Sequence, residues 1–184
     1  EELIFTDEKV YDPSVSLRQK DRDTDEIYIS YSTPKTQNRT YLYNIKSKEK
    51  KLVKEQIIPS GHEPNDYIVE RLECPSHDGR VVPITITRHK NTPIDGSAEL
   101  LLYGYGSYGH SMSPTFSSTR LSLIKRNIIW ATAHIRGGME RGMKWWKEGK
   151  LLNKKNTFKD YIACAKFLIE KKYTSKKKII GMGG

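Results

Sequence analysis

Three apolar, strand-like runs of the sequence end in glycine, and each ending could carry chemistry. Leu100-Leu101-Leu102-Tyr103 leads into Gly104-Tyr105-Gly106. Ile128 to Ala133 leads into His134-Ile135-Arg136-Gly137-Gly138. Ile179-Ile180 leads into Gly181-Met182-Gly183-Gly184. Glycines directly after a strand fit a phosphate-cradling loop, where bare backbone approaches an anion. They also fit a nucleophile elbow, Gly-x-Ser-x-Gly, where small residues permit a very sharp strand-to-helix turn. The phosphate loop needs a GxGxxG spacing or a following lysine, and neither appears after Ile180. The elbow needs Gly183 and Gly184 as its first two positions, with a serine next. A plain strand-end turn explains the glycines equally well. On residue types alone, Tyr105 is an aromatic packed beside loop glycines.

Other chemistries find less support. The five histidines, His62, His77, His89, His110 and His134, do not pair at helical spacing, so no zinc site is expected. Cys74 and Cys164 are far apart in sequence and propose neither a metal site nor a disulfide framework, and Cys164 lies in an apolar helical pattern as a buried thiol would. The formal charge of +10 raises nucleic acid as a partner. The lysines, however, are spread over Lys46–Lys54, Lys144–Lys155 and Lys171–Lys178. Trp145 and Trp146 are stacking candidates with no recognised nucleic-acid module around them, so nucleic-acid binding is not expected. The longest apolar runs, such as Ile128 to Ala131, are strand-sized, so no membrane span is expected either. The first residues, Glu1-Glu2-Leu3-Ile4, lack the basic start and apolar centre of a signal peptide, which favours the cytoplasm.

The elements that must position the glycine turns fall into two textures. Up to about Pro59, Ile27, Ile29 and Tyr31, then Tyr41, Tyr43 and Ile45, recur with period two around Thr33-Pro34, which predicts an antiparallel pair of strands. One hairpin is not stable alone in water, so further strands are required. Pro59-Ser60-Gly61-His62-Glu63-Pro64 is a candidate boundary. Beyond it, Tyr67–Glu73 and Val81–His89 flank the hairpin signal Asp78-Gly79, with Pro83 suiting an edge strand. Leu100–Tyr103 and Ile128–Ala133 read as buried parallel strands, with a helix between them over Phe116–Arg126. Phe158, Tyr161, Ile162, Ala165, Leu168 and Ile169 mark a helix face, opened by Thr157 and Asp160 as a capping box. Strands alternating with helices predict a three-layer α/β unit with a mainly parallel sheet.

Three long stretches add a resemblance. Leu100 to Gly109 (LLLYGYGSYG), Ala133 to Gly138 (AHIRGG) and Gly149 to Ile162 (GKLLNKKNTFKDYI) closely resemble signatures of the prolyl oligopeptidase family of serine peptidases. The likeness is strongest to its branch that cuts after arginine and lysine. Glu70 to Ile86 resembles the segment where that family re-enters its peptidase domain. The resemblance implies a β-propeller capping an α/β-hydrolase domain and restricting access to short peptides. Residues 1–60 would be the last propeller strands, and residues 61–184 the N-terminal half of the peptidase domain. It implies that Tyr105 gives its hydroxyl to the oxyanion hole. It implies that Gly183 and Gly184 open the nucleophile elbow, with the serine next and the acid and base further on. His134, Arg136, Gly137 and Gly138 would then form a structural loop, His134 being a hydrogen-bonded support and not the catalytic base, and Asp160 a helix-start residue. No cofactor or metal is implied. The resemblance departs from bacterial members at Ser113-Pro114-Thr115, where they carry an Asp-x-Asp that helps hold a second basic residue.

Three functional readings follow. The first is a piece of a cytoplasmic serine oligopeptidase acting on short basic peptides, from a split, frameshifted or truncated gene, and silent by itself. The second is a non-catalytic half that assembles with a separately encoded C-terminal half. The third, favoured only by charge, is a basic nucleic-acid-binding protein.

Overall fold

The computed structural model describes residues 9–17 and 24–184; the Glu1–Ile4 start lies outside them. These residues form two compact units. One runs to Pro64 and includes Pro114–Ser118; the other comprises Asn65–Ser113 and Thr119–Gly184. The architecture is mixed α/β with two sheets and few helices.

The first unit is a four-stranded antiparallel sheet in sequential order. Its strands are β1 (Asp12–Leu17), β2 (Glu26–Ser32), β3 (Arg39–Asn44) and β4 (Lys50–Glu55). The hairpin read from sequence is its middle pair. Alternation made β2 and β3 visible because Ile29, Tyr31 and Tyr43 are buried. β4 is exposed throughout and lysine-rich, as suits an edge strand, so it carries no apolar period to detect.

The second unit is built on five strands in the order β5-β6-β8-β7-β9. They are β5 (Tyr67–Pro75), β6 (Val81–His89), β7 (Leu100–Tyr103), β8 (Ile129–Ala133) and β9 (Ile179–Met182). The β5–β6 and β6–β8 pairings are antiparallel, while β8–β7 and β7–β9 are parallel. The sheet is therefore mixed, not mainly parallel, since a buried apolar run looks the same in either direction. β6 is also an interior strand, contrary to the edge placement suggested by Pro83. β8 pairs with β6 only over Ile84 to Thr87. The Pro83 carbonyl accepts the His134 N–H at 2.9 Å just past that stretch, so the proline sits where the ladder is ending.

Three helices accompany the sheet: α1 (Ser118–Ile124), α2 (Met143–Lys147) and α3 (Lys155–Glu170). Cys164 and Leu168 of α3 enter the core with Val82, Ile84, Ile86, Leu100, Leu102, Ile129 and Ala131. Helix α3 buries the expected Leu168, with Tyr161 and Ala165 packed against the core, but its inward face also takes in polar residues that the apolar pattern missed. Thr157, Asp160, Cys164 and Leu168 point inward, while Phe158 and Ile162 are 60% and 52% exposed. The capping box is absent too: α3 begins at Lys155, and Thr157 and Asp160 have other partners.

The contrast between Leu168 and Phe158 makes a testable difference. Leu168→Ala should destabilise by about 2–5 kcal/mol, the usual loss for a buried leucine, whereas Phe158→Ala should change stability by only about 0.5 kcal/mol. Urea unfolding of the two variants measures both, and equal losses would contradict this packing.

Candidate active-site rim

The carboxyl ends of β7 and β9 lie side by side because the strands are parallel and paired from Leu100–Ile179 to Tyr103–Met182. The Gly104 N–H extends the ladder to the Met182 carbonyl at 3.1 Å. A Cβ on Gly183 would run into the Gly104 carbonyl, so the close approach of the two strand ends requires glycine there. Tyr161 of α3 joins the same rung. Its hydroxyl donates to the Leu102 carbonyl at 2.7 Å and accepts the Met182 N–H at 3.2 Å.

These strand ends open into a concavity of about 450 Å³. Tyr105, Gly183 and Gly184 line it together with Ser107, Lys154, Phe158 and Tyr161. The structure thus brings Tyr105 to the two terminal glycines. The Tyr105 ring meets His110 edge-on at 5.7 Å. Lys154 donates to the Gly106 carbonyl at 2.6 Å and to Ser107 Oγ at 2.7 Å.

The other four predicted residues lie behind this rim and do not line it. Arg136 is 1% exposed and hydrogen-bonded to two carboxylates, with Glu148 a further 3.8 Å from Nη1. Its Nε and Nη2 donate to Asp160 at 2.8 and 2.7 Å, and its Nη1 and Nη2 donate to Asp78 at 2.6 and 3.1 Å. Its backbone is held as well: the N–H donates to Asp160 at 3.1 Å and the carbonyl accepts the Thr157 hydroxyl at 2.7 Å. Ser76 adds a 2.6 Å bond to Asp160. Gly137 follows at φ +101°, where a Cβ would strike the Gly106 carbonyl, so the Arg136 loop presses directly on the Tyr105 loop. Gly138 lies against Glu140 and the His110 carbonyl.

His134 is buried as well. Its Nε2 lies 2.8 Å from both Thr85 Oγ1 and Arg71 Nη1. A guanidinium only donates, so Nε2 accepts and the imidazole proton resides on Nδ1. Burial pushes the His134 pKa down, and the Arg71 charge works in the same direction, so the ring is neutral. Its Nδ1 stands 3.5 Å from Glu140 Oε1, a long and weak N–H contact from a neutral ring and not an ion pair. Burial raises the Glu140 carboxyl, but His134 and the Met112 N–H, at 3.0 Å, outweigh it and hold it below the ordinary value.

Asp160 is therefore the buried counter-ion of Arg136 and not a helix-start residue. Periodicity could not show this, because a polar residue counts as surface until its partner is known. Asp78 was read only as a turn former and Lys154 only as part of a basic run. Trp145, a candidate base-stacking residue, is buried, donates to the His134 carbonyl at 3.0 Å and lies under the Arg136 guanidinium. Among the described residues, no cluster of three or more His, Cys, Asp or Glu is placed to hold a metal ion, and no helix is long and apolar enough to cross a membrane.

A mixed sheet with paired strand ends opening beside a tyrosine and a glycine turn defines the class as an α/β protein with a loop-built site at its strand ends. Comparison with known proteins identifies which one. Residues 114–184 match the family model described as the prolyl oligopeptidase family. The chain is 39% identical over its whole length to the dipeptidyl aminopeptidase BI of Pseudoxanthomonas mexicana, of which it covers 25%. It is 37% identical over 98% of its length to protease 2 of Moraxella lacunata, of which it covers 26%. The oligopeptidase B of Trypanosoma brucei with covalently bound antipain superimposes with a TM-score of 0.88 at 36% identity, over 97% of this chain and 25% of that one. The chain belongs to the prolyl oligopeptidase family of serine peptidases and is closely related to oligopeptidase B, or protease II. It spans about a quarter of the length of these relatives.

The carboxylates around Arg136 give a pH signature. Hydrogen bonding to Arg136 lowers the Asp78 pKa to about 2 despite some opposing burial. A carboxyl depressed in the folded state stabilises fully above its unfolded pKa of about 3.9, and the effect fades as pH falls through about 2. Asp78→Asn should therefore lower the urea midpoint at pH 7 and leave it near that of the parent at pH 2. Asp160→Asn leaves a buried guanidinium half-paired and should cost about 3–5 kcal/mol at pH 7. A pH-independent effect of Asp78→Asn would contradict the ion pair.

Proposed function

We propose that these residues are part of a serine oligopeptidase that hydrolyses short peptides after arginine or lysine. The observation that carries the reading is the meeting of Tyr105 with Gly183 and Gly184 in one concavity at the paired ends of β7 and β9. In α/β enzymes built on parallel strands, chemistry gathers at the carboxyl ends. Tyr105 is the oxyanion donor. A fixed O–H aimed at a developing alkoxide stabilises the transition state more than the ground state. Gly183 and Gly184 begin the nucleophile elbow, and the serine is the next residue of a family-length chain. His134, Arg136, Gly137 and Gly138 support the rim and take no part in proton transfer; His134 is neutral, buried and engaged on Nε2.

On this reading residues 1–60 are the last strands of a β-propeller, and residues 61–184 are the N-terminal half of an α/β-hydrolase domain. A four-stranded antiparallel sheet in sequential order has the form of one propeller blade. Preference for Arg or Lys rests on the resemblance to the family branch that cuts after these residues, and a short basic peptide is the substrate proposed, in the cytoplasm. The 184 residues alone contain no complete nucleophile–base–acid set on this reading and are expected to be silent. The C-terminal half is their natural partner, whether encoded in the same chain or separately. β9 lies at the edge of its sheet, with Ile180 and Met182 half-exposed, which suits continuation of the sheet there.

Kinetics of a family-length chain on a fluorogenic arginyl amide test the proposal. Tyr105→Phe should lower kcat by roughly a hundredfold or more, the usual loss for one oxyanion donor, with KM little changed. A variant as fast as the parent would remove Tyr105 from the mechanism. Turnover by the purified 184-residue chain, surviving contamination controls, would overturn the assignment of the nucleophile beyond Gly184.

A further inference from the structure

We propose that Lys154 is a positioning residue: its ammonium group clamps the loop that carries Tyr105 and so aims the phenol hydroxyl. The inference rests on the oxyanion reading of Tyr105. Tyr105 stands between Gly104 and Gly106, the two residues with the greatest backbone freedom it could have as neighbours. A donor that must meet a developing charge needs to be held to within about 0.5 Å, so something beyond the local chain has to fix it.

Lys154 is suited to that task. It sits between the 3-10 turn Leu151–Asn153 and the start of α3. Its own backbone is fixed there, donating to the Leu151 carbonyl at 3.0 Å and accepting the Thr157 N–H at 3.1 Å. From that anchor, Nζ reaches the Gly106 carbonyl at 2.6 Å and Ser107 Oγ at 2.7 Å. These are short, charge-assisted bonds, and they land on the two residues directly after the tyrosine. Packing also restricts the same loop. Gly106 is at φ +61° with Ile135, Thr157 and the Arg136 carbonyl in the space a Cβ would need. Packing by Ile135, Thr157 and Arg136 thus limits the loop, and Lys154 holds its carbonyl. Burial lowers the Lys154 pKa, consistent with an ammonium partly withdrawn from water and bonded to the loop. Lys154 and Tyr105 also line the same concavity.

A double-mutant cycle in a family-length active chain tests this. Lys154→Met should lower kcat by about tenfold to fiftyfold with KM changed less than about twofold, because the group acts on the transition-state donor and not on substrate binding. Lys154→Arg retains N–H donors and should recover much of that loss. In a Tyr105→Phe background, Lys154→Met should cost less than about threefold, since the hydroxyl it positions is already gone. If Lys154→Met does not fold, as judged by circular dichroism, Lys154→Gln takes its place in the cycle. An unchanged kcat, or a loss of the same size in both backgrounds, overturns the positioning role while leaving Tyr105 untouched. If Tyr105→Phe alone leaves kcat unchanged, the oxyanion reading fails on its own evidence, and the role of Lys154 falls with it.

Discussion

The buried Arg136 guanidinium is the constraint on which the rest of the second unit depends. A charge at 1% exposure is tolerated only when paired and hydrogen-bonded, and this one is hydrogen-bonded to two carboxylates with a third nearby. Asp78 comes from the turn between β5 and β6, Asp160 from α3, and Arg136 itself from the loop after β8. Three elements distant in sequence must therefore arrive together or leave a charge unpaired. Replacing such a cluster with apolar residues is often neutral or stabilising, so its contribution lies in register more than in net stability. The register matters because the Arg136 backbone is also bonded to Asp160 and Thr157, and the next residue, Gly137, bears on Gly106.

Helix α3 is the common reference for the strand ends. Thr157 and Asp160 hold the loop after β8, Tyr161 joins the last rung between β7 and β9, and Lys154 at its N-terminal flank bonds the loop after β7. All three glycine endings of the sequence are thus gauged against one helix. This explains why its inward face is polar at one end and apolar at the other. Thr157 and Asp160 face the loops, and Cys164 and Leu168 face the core beneath the sheet. Tyr161 also accounts for two glycines at once. A Cβ on Gly104 would meet its ring at 2.8 Å, and one on Gly181 would meet its hydroxyl at 3.0 Å.

Much of this was legible in the sequence, and the misses share a cause. Apolar alternation and runs located β2, β3, β5 to β9 and α3, because burial of side chains leaves a period. Strand direction leaves none, so the mixed sheet looked mainly parallel. The face of α3 was placed correctly at Tyr161, Ala165 and Leu168 and wrongly at Phe158 and Ile162, because Asp160 faces inward while those two do not. Cys74 and Cys164, far apart in sequence, are free thiols that are both fully buried in one core. The long glycine-bearing stretches pointed to Tyr105, Gly183 and Gly184, and the fold brings these to one concavity. Lys154 and Asp78 were invisible as site-building residues, since a lysine in a basic run and an aspartate before glycine have ordinary explanations.

The central claim is that the Tyr105 hydroxyl faces the charge that develops at these strand ends. The most direct measurement is a crystal structure of a family-length chain with a peptide aldehyde bound covalently to its nucleophile, proposed as a serine following Gly184. The account predicts Tyr105 Oη about 2.7–3.1 Å from the hemiacetal oxygen, the range for an oxyanion donor. A Tyr105 hydroxyl turned away from that oxygen, or a covalent bond formed at a different residue, would contradict it.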